Sequence, residues 1–458
     1  MTLTIPEEVK TLSSKFEASG HELYLVGGAV RDYAMGKPIY DWDFTTDASP
    51  EKILAILGED AFYDNNFGTV GFPYKEGERP FEVTTFRTET TYSDARHPDE
   101  IKWGNTLEED LKRRDFTINA MALKISNLNF KILNKEDIGI IDPYDGKKDI
   151  DKKLIRAVGD PIERFSEDAL RMMRAVRIAS ELGFTIDEQT FNAIKMHAGS
   201  IHKIAHERVR DELLKILGSK YPYEGVLLLH GSGLMDEILP ELSKTFGVEQ
   251  KSPGRHHIYD VGTHSLMSLK NCPSGDAIVR FATLIHDIGK PQTYKVQDAI
   301  ITFYNHEVLG ARIAKNIAAR LRFSKRDSDK LWKLVRWHQF TVDEHQTDKA
   351  IRRFITKVTP EYVEDMLALR TGDRLGGGAA ETSWRLEEFK KRLIEVQKQP
   401  FTVRDLKING SDVMKELGIK PSPKVGEILN KLFEDVVEKR VDNEKEALLE
   451  KLRQITES

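Results

Sequence analysis

The stretch LYLVGGAVRDYAMGKPIYDWDFTTD, residues 23–47, decides the fold class. LYLV is a short apolar run that stops at a glycine pair, Gly27 and Gly28, and YDWDFTTD alternates polar and apolar residues as a strand does. Side chains at i and i+2 of a strand share a face, so Asp41 and Asp43 are expected to project together while Trp42 points the other way. Two adjacent carboxylates make a hard, oxygen-rich site suited to Mg²⁺, which keeps most of its waters and is completed by substrate phosphates. Glycines after a strand let backbone N–H groups approach a phosphate closely, and Arg31 follows within one helical turn. An Asp-x-Asp pair alone also fits a solvated strand edge. With the glycines and VRD behind it, the stretch implies a metal-dependent site for a nucleoside triphosphate.

At 458 residues the chain should hold several domains, since one hydrophobic core stops growing at about 250–300 residues. Charged residues at 31% and hydrophobic ones at 40% are those of a globular protein. No apolar run approaches the ~20 residues of a membrane span, so no transmembrane helix is expected. The single cysteine, Cys272, rules out an internal disulfide framework, and MTLTIPEEVK lacks the basic-then-apolar pattern of a signal peptide. A reducing cytoplasm is the expected compartment. The net charge of −5 argues against a whole-chain polyanion binder, but a local basic patch is what meets a nucleic acid.

Up to about Tyr144, strand-like runs (LYLVGG, YDWDFTTD, TVGFPY, FEVTTFR) alternate with helical segments such as PEEVKTLSSKFEAS and PEKILAIL, the pattern of a small α/β domain. After the turn signal DPYDGKKD the period shifts to 3.6 residues and stays there. SEDALRMMRAVRIASELG and EQTFNAIKMHAGSIHKI are predicted amphipathic helices. VEQKSPGRHHIYD reads as a connection into another helical unit, and DRLGGGAAETSW as a glycine-rich break. Near the end, an NGSD turn is predicted to cap a helix, and a Pro-Ser-Pro turn separates it from two more. No internal repeat or low-complexity tract appears.

Three further segments carry candidate chemistry. Glu82 in FEVTTFR offers a third carboxylate, or is a solvated strand residue. In KRRDFTINAMA, Arg113 and Arg114 beside Asp115 either form a surface ion network or hold a polyanion; Asp115 suits ribose hydroxyls, and Asn119 would share its face on a helix. In RFSEDALRMMRAVR, Asp168 and Arg171 stand at i and i+3, the spacing of a surface salt bridge. They also offer one base edge an acceptor beside a donor. Cytosine and adenine match that edge, whereas uracil and guanine present the reverse order. One Asp–Arg pair could therefore admit CTP and ATP and reject UTP and GTP.

GGAVRD with DWD, RRDFTINAMA, the EDALR segment and HERVRDEL occur in that order over roughly the first 220 residues. In these motifs the chain resembles the class II tRNA nucleotidyltransferases, the CCA-adding enzymes and the bacterial poly(A) polymerases, within the polymerase-β-like nucleotidyltransferases. The resemblance implies a head in which Asp41 and Asp43 are catalytic and bind Mg²⁺, with Gly27, Gly28 and Arg31 on the triphosphate. It implies Arg114, Asp115 and Asn119 on the ribose side, and Asp168 and Arg171 as the amino-acid template for C and A. Arg174 and Arg177 join the nucleotide-binding set, and Arg208 of HERVRDEL belongs to a supporting helix. The polar segment TETTYSDARHPDEIKWGNTLEED is similar to the family's flexible loop. Asp94 and Arg96, with His97 and Pro98, favour a CCA- or A-adding enzyme over one that adds only CC.

A second cluster comprises His264, His286 with Asp287, His306, His338 and Asp373, spread over five helical segments. Imidazoles with carboxylates suit a transition metal or a mixed site. The block around LIHDIGKP resembles the HD superfamily of metal-dependent phosphohydrolases. That resemblance implies His264, His286, Asp287 and Asp373 around one divalent metal, with His306 and His338 open to a second ion and Asp343 and Asp348 as rivals of Asp373. RLRFSKRDSDKLWKLVRW and KAIRRFITK are candidate basic RNA-contacting faces. The tail resembles the family's tRNA-holding segment but has Ser422 and Val425 where glycine and isoleucine are usual.

The expected fold class is α+β: a small polymerase-β-like α/β head, then an extended mostly helical region. The expected division is 1–145 catalytic head, 146–250 helical neck and body binding nucleotide and RNA, 251–395 HD-type helical domain, and 396–458 helical tail binding tRNA. The expected activity is template-independent addition of the 3′-terminal CCA to tRNA from CTP and ATP; the HD unit is either a phosphohydrolase or a helical platform that keeps the ligands and serves mainly to carry RNA. The alternatives are an A-adding enzyme or poly(A) polymerase and, in another class, an HD phosphohydrolase with a regulatory nucleotide-binding head.

Overall fold

The computed structural model describes all residues except 1–5, 64–68, 74–79, 90–100, 105, 126–138, 251–258, 299, 341–346, 398–402, 439 and 457–458. LYLV is strand β1 (Leu23–Val26), followed in chain order by β2 (Asp43–Thr46), β3 (Phe62–Tyr63), β4 (Thr69–Phe72), β5 (Phe81–Thr85), β6 (Arg87–Glu89), β7 (Ile101–Trp103), β8 (Ala122–Lys124) and β9 (Ile140–Ile141). Seven of these form one mixed sheet in the order β3-β4-β5-β2-β1-β8-β9, and β6 with β7 forms a separate hairpin. Within the large sheet, β2 pairs with β5 in parallel and the other neighbours are antiparallel.

Both faces of β1 are covered, which is why its sequence is an unbroken apolar run. Leu23 and Leu25 pack with Val9, Leu12 and Phe16 of the helix Glu7–Ala18 and with Ile53 and Leu57 of the helix Pro50–Leu57. Tyr24 and Val26 pack on the other side with Phe86, Leu111 and Ala122. Each such fully buried Phe or Leu contributes about 1.5–3 kcal/mol through lost water contact.

β2 starts at Asp43, so Asp41 and Trp42 lie just ahead of the strand and not on it as expected. The alternation nevertheless holds: Trp42 and Phe44 are buried in the helix-covered core, Asp43 is half-buried and Asp41 exposed. Glu82 is the register partner of Asp43 across the parallel β2–β5 pair, while its neighbours Phe81 and Val83 point into the core.

The chain forms two compact units, Met1–Phe246 with Asn316–Ser324, and Gly247–Lys315 with Lys325–Ser458. In the first, the head sheet is followed by helices that include Pro161–Glu167, Leu170–Leu182, Glu188–His197 and His206–Gly218. The predicted single helix over SEDALRMMRAVRIASELG is broken: Asp168 leaves helical geometry, at φ −141 and ψ 104, and its Oδ1 accepts from the Leu170 N–H at 2.9 Å. A side chain that can bond its own downstream backbone competes with helix propagation, which the periodicity alone could not register.

In the second unit the predicted glycine-rich break over DRLGGGAAETSW is present: the helix Val363–Gly376 ends within it and the next helix begins at Trp384. The helix Val363–Gly376 includes Gly372 and Gly376, which face the helix Val261–Lys270. A Cβ at Gly376 would sit 2.4 Å from Ser268 Oγ and 2.5 Å from Ser268 N, and one at Gly372 would sit 2.6 Å from the Ser268 carbonyl oxygen. These glycines permit backbone contact, and Gly376 is also the last residue of its helix. The tail core joins Gly410–Leu417, Pro423–Val437 and Lys445–Thr456, the first capped by Asn409 and Asp412 in a reciprocal capping box. Ser422 has φ −158, ordinary extended backbone that needs no glycine, and Val425 is buried in this core.

Candidate functional site

The turn after β1 requires a glycine: Gly27 has φ +69 and ψ −138. A Cβ there would lie 3.1 Å from Arg114 Nη1 and 3.9 Å from Asp43 Oδ2, so the turn, the guanidinium and the carboxylate share one small space. They line a cleft of about 310 Å³ with Gly28, Arg113, Asp115, Asn119, Asp168, Arg171, Arg174 and Arg208. Five guanidiniums face three carboxylates in that lining. The surplus positive charge suits a polyanion such as a triphosphate.

Asp110, which the sequence reading passed over, organises the arginine end. It is fully buried, with Oδ1 accepting from Arg113 Nε at 2.9 Å and Nη2 at 2.7 Å, and Oδ2 accepting from Arg114 Nη2 at 2.9 Å. Burial works to raise its pKa, but the two guanidiniums prevail and hold it below the usual carboxylate range. Helical i,i+3 and i,i+4 spacing from Asp110 thus holds two cations side by side.

A hydrogen-bonded chain runs from Arg31 into the cleft lining. Arg31 Nη1 donates to Asn119 Oδ1 at 3.0 Å, Asn119 Nδ2 donates to Asp115 Oδ1 at 3.2 Å, and Arg174 Nε donates to Asp115 Oδ2 at 2.8 Å. Asn119 meets Asp115 through a 3-10 turn, Thr117–Asn119, and not through an α-helix. Burial would raise the Asp115 pKa, but Arg174 and Asn119 hold it down to about 2.

Asp168 and Arg171 line the same cleft without touching in a salt bridge. Asp168 Oδ2 accepts from Arg208 Nη2 at 3.3 Å, and Arg171 donates to Glu167, to the Arg164 carbonyl at 3.2 Å and to the Arg113 carbonyl at 3.1 Å. The simple i,i+3 surface bridge is therefore absent, and each group is held from behind by other partners. Of the remaining expected residues, Arg31 and Arg177 are not in the cleft lining; Arg177 Nε lies 2.7 Å from Glu212 Oε2. Asp41 precedes the strand outside that lining. Asp94 and Arg96 lie outside the described residues.

The second unit gathers the histidine cluster. His264 Nε2 lies 3.2 Å from Asp373 Oδ1, and His286 Nε2 lies 3.2 Å from Asp287 Oδ2. Asp287 turns its other oxygen to His306 Nε2 at 3.2 Å and His338 Nε2 at 3.7 Å. His264, His286 and Asp373 thus form one donor triad and Asp287, His306 and His338 another, with Asp287 facing both. Asp348 instead pairs with Arg392 at 2.6 Å, and Asp343 lies outside the described residues.

Three of the imidazoles are oriented alike: the Nδ1 atoms of His286, His306 and His338 meet the carbonyls of Thr283, Phe303 and Val335 at 2.7, 2.8 and 2.7 Å. Nδ1–H bound to a carbonyl leaves Nε2 as the inward donor, the arrangement metal-ligating histidines use. Burial would lower the His286 pKa, but Asp287 and Asp373 lift it to about 10; burial and the neighbouring His286 drop His338 to about 3. The N and O donor set fits a divalent metal. Lys290, also missed at the sequence level, is buried with Nζ 2.6 Å from Asp287 Oδ2 and 2.8 Å from Gln250 Oε1.

Most of the basic helix Lys325–Trp337 is engaged internally: Lys330 pairs with Asp276 and Asp365, Lys333 with Asp329, and Arg336 with Glu307. No helix among the described residues is long and apolar enough to cross a membrane.

Comparison with known proteins accords with both sites. The Poly A polymerase head domain matches residues 23–156, the HD domain residues 256–367, and domain 2 of tRNA nucleotidyltransferases residues 313–452. The CCA-adding enzyme of Ligilactobacillus salivarius is 34% identical over 99% of this chain and 98% of its own length. The A-adding tRNA nucleotidyltransferase of Deinococcus radiodurans is 33% identical over 90% of each. Among solved structures, the Bacillus stearothermophilus CCA-adding enzyme in complex with CTP is 28% identical, with a TM-score of 0.69 over 99% of this chain and 98% of that one.

Proposed function

The chain belongs to the family of CCA-adding enzymes, and from that premise we propose that it builds or repairs the 3′-terminal CCA of tRNA from CTP and ATP. The observation that carries this reading is the cleft, whose lining brings Gly27, Arg114 and Asp43 together with Asp168 and Arg171. Triphosphate and base are thereby met by protein groups alone, with no template strand. The tRNA 3′ oxygen attacks the α-phosphorus, a new phosphodiester forms, and pyrophosphate leaves with the electrons of the broken P–O bond.

Asp41 and Asp43, with Glu82 beside Asp43 on the neighbouring strand, are the residues we assign to hold Mg²⁺. Their all-oxygen donor set fits that ion, which when bound supplies charge neutralisation and activates the attacking hydroxyl. Gly27, Gly28 and Arg31 take the triphosphate, and Arg114 with the Asn119–Asp115–Arg174 chain presents the ribose side. Asp168 accepts from the exocyclic amine of cytosine or adenine while Arg171 donates to the adjacent ring nitrogen. Incorporation from CTP, ATP, UTP and GTP into a tRNA transcript lacking CCA tests this. The wild type should take C and A and exclude U and G, and Arg171→Ala should blur that exclusion; unchanged exclusion in the variant removes the base-reading role.

A-only addition is a second reading, favoured by the Deinococcus radiodurans relative; failure to extend a transcript with CTP alone would select it. Neither a poly(A) polymerase nor an HD enzyme with a regulatory head has comparable support. For the second unit we propose a divalent-metal phosphohydrolase site at His264, His286, Asp287 and Asp373, with His306 and His338 toward a second ion that Asp287 would bridge. We assign the roles of catalytic head, neck and body, HD unit and tRNA-holding tail to 1–145, 146–250, 251–395 and 396–458, and the cytoplasm as the compartment.

A further inference from the structure

We infer that Arg370 is the anion-recognising side chain of the histidine-rich centre, the group that takes the phosphate of an ester brought to the metal; this rests on the metal centre proposed above. Among the six donor residues, side-chain exposure is 2% for His264, 1% for His286, 4% for Asp287, 4% for His306, 2% for His338 and 20% for Asp373. The centre is most open to solvent at Asp373.

Arg370 stands at that opening. It lies one helical turn before Asp373 and donates Nη1 to Asp373 Oδ2 at 3.0 Å, while Oδ1 faces His264 and His286. Its side chain is 25% exposed, with Cζ 5.5 Å from the centre of the Phe340 ring. A guanidinium has five N–H donors in a planar fork, so one bond to Asp373 leaves others for phosphate oxygens.

Two other cations near the centre fit this role less well. Lys290 touches Asp287 but is only 8% exposed and is tied to Gln250. Arg336 pairs with Glu307, which is outside the donor triads, and stacks 4.0 Å from the Trp337 ring centre. Arg370 combines contact with a donor carboxylate and access to solvent.

A plain orienting role for Arg370 makes the opposite prediction about metal. An orienter of Asp373 strengthens metal binding, whereas a cation that shares Asp373 with the metal competes with it. The full-length wild type, Arg370→Ala and Arg370→Lys are therefore titrated calorimetrically with Mn²⁺, then with inorganic phosphate, with thermal unfolding recorded for each. The inference expects Mn²⁺ affinity equal to or tighter than wild type in Arg370→Ala. Phosphate affinity should fall about 10- to 100-fold, the worth of a charge-assisted hydrogen bond, and recover partly in Arg370→Lys. Unchanged phosphate affinity overturns the inference, as does a loss of Mn²⁺ affinity in parallel with that of phosphate. A wild type that binds Mn²⁺ but no phosphate overturns it alone, whereas a wild type that binds no Mn²⁺ overturns the metal centre beneath it.

Discussion

Asp43 is half-buried, at the start of a strand whose other face carries the core, and we assign its carboxylate to chemistry more than to folding. Asp43→Asn should lower nucleotide incorporation by about a thousandfold, since a lost metal ligand removes several kcal/mol of charge stabilisation, while leaving thermal unfolding within a degree or two; residual activity near wild type would remove the metal assignment. Asp115 is the reverse case, buried and salt-bridged. Its folded pKa of about 2 lies below the ordinary 3.8. Its stabilising contribution is thus present above about pH 4 and lost as pH falls through 2. Because Arg174 is 38% exposed, we expect only about 1–2 kcal/mol, read as a drop in denaturant stability between pH 5 and pH 2 that Asp115→Asn flattens. The glycine pair and Asp43 in the cleft were legible from residue type and spacing, whereas Asp41 lies ahead of the strand and outside the lining. Asp110 was not legible: it ends the acidic run Glu108, Glu109, Asp110, and only burial separates it from its solvated neighbours.

Among the elements, periodicity found the helices but not every interruption. The break at Asp168 depends on one side chain bonding the Leu170 N–H, and the packing of Val363–Gly376 on two glycines meeting the backbone at Ser268. Glycine in a sequence signals either a turn or close packing, and the neighbour that decides between them lies about a hundred residues away. Gly376→Ala should therefore cost about 1–3 kcal/mol through overpacking and, by shifting Asp373, weaken metal binding. Gly426, in the helix Pro423–Val437, meets nothing within 4 Å. Its replacement by Ala should stabilise by about 0.5–1 kcal/mol, since only chain entropy is at stake. Thermal unfolding of the two variants side by side checks both, and equal shifts would contradict the packing argument.

For the whole molecule, the order of motifs along the chain announced two chemistries, and the two candidate sites fall in different compact units. What the order could not convey was the division of labour within each site, such as Asp287 facing two histidine pairs or Arg31 acting through Asn119. Changing His286 and Asp287 together to Ala should eliminate metal-dependent phosphate release and spare nucleotide addition to tRNA; simultaneous loss of both activities would show that the sites are not separable. The central claim, that protein side chains alone choose C and A, is tested most directly by sequencing the 3′ ends of tRNA transcripts lacking CCA after incubation with the protein, Mg²⁺, CTP and ATP. The account predicts ends completed as CCA, CC with CTP alone, and no incorporation of U or G when UTP and GTP are supplied. Ends carrying runs of A, or U and G incorporated as readily as C and A, would contradict it.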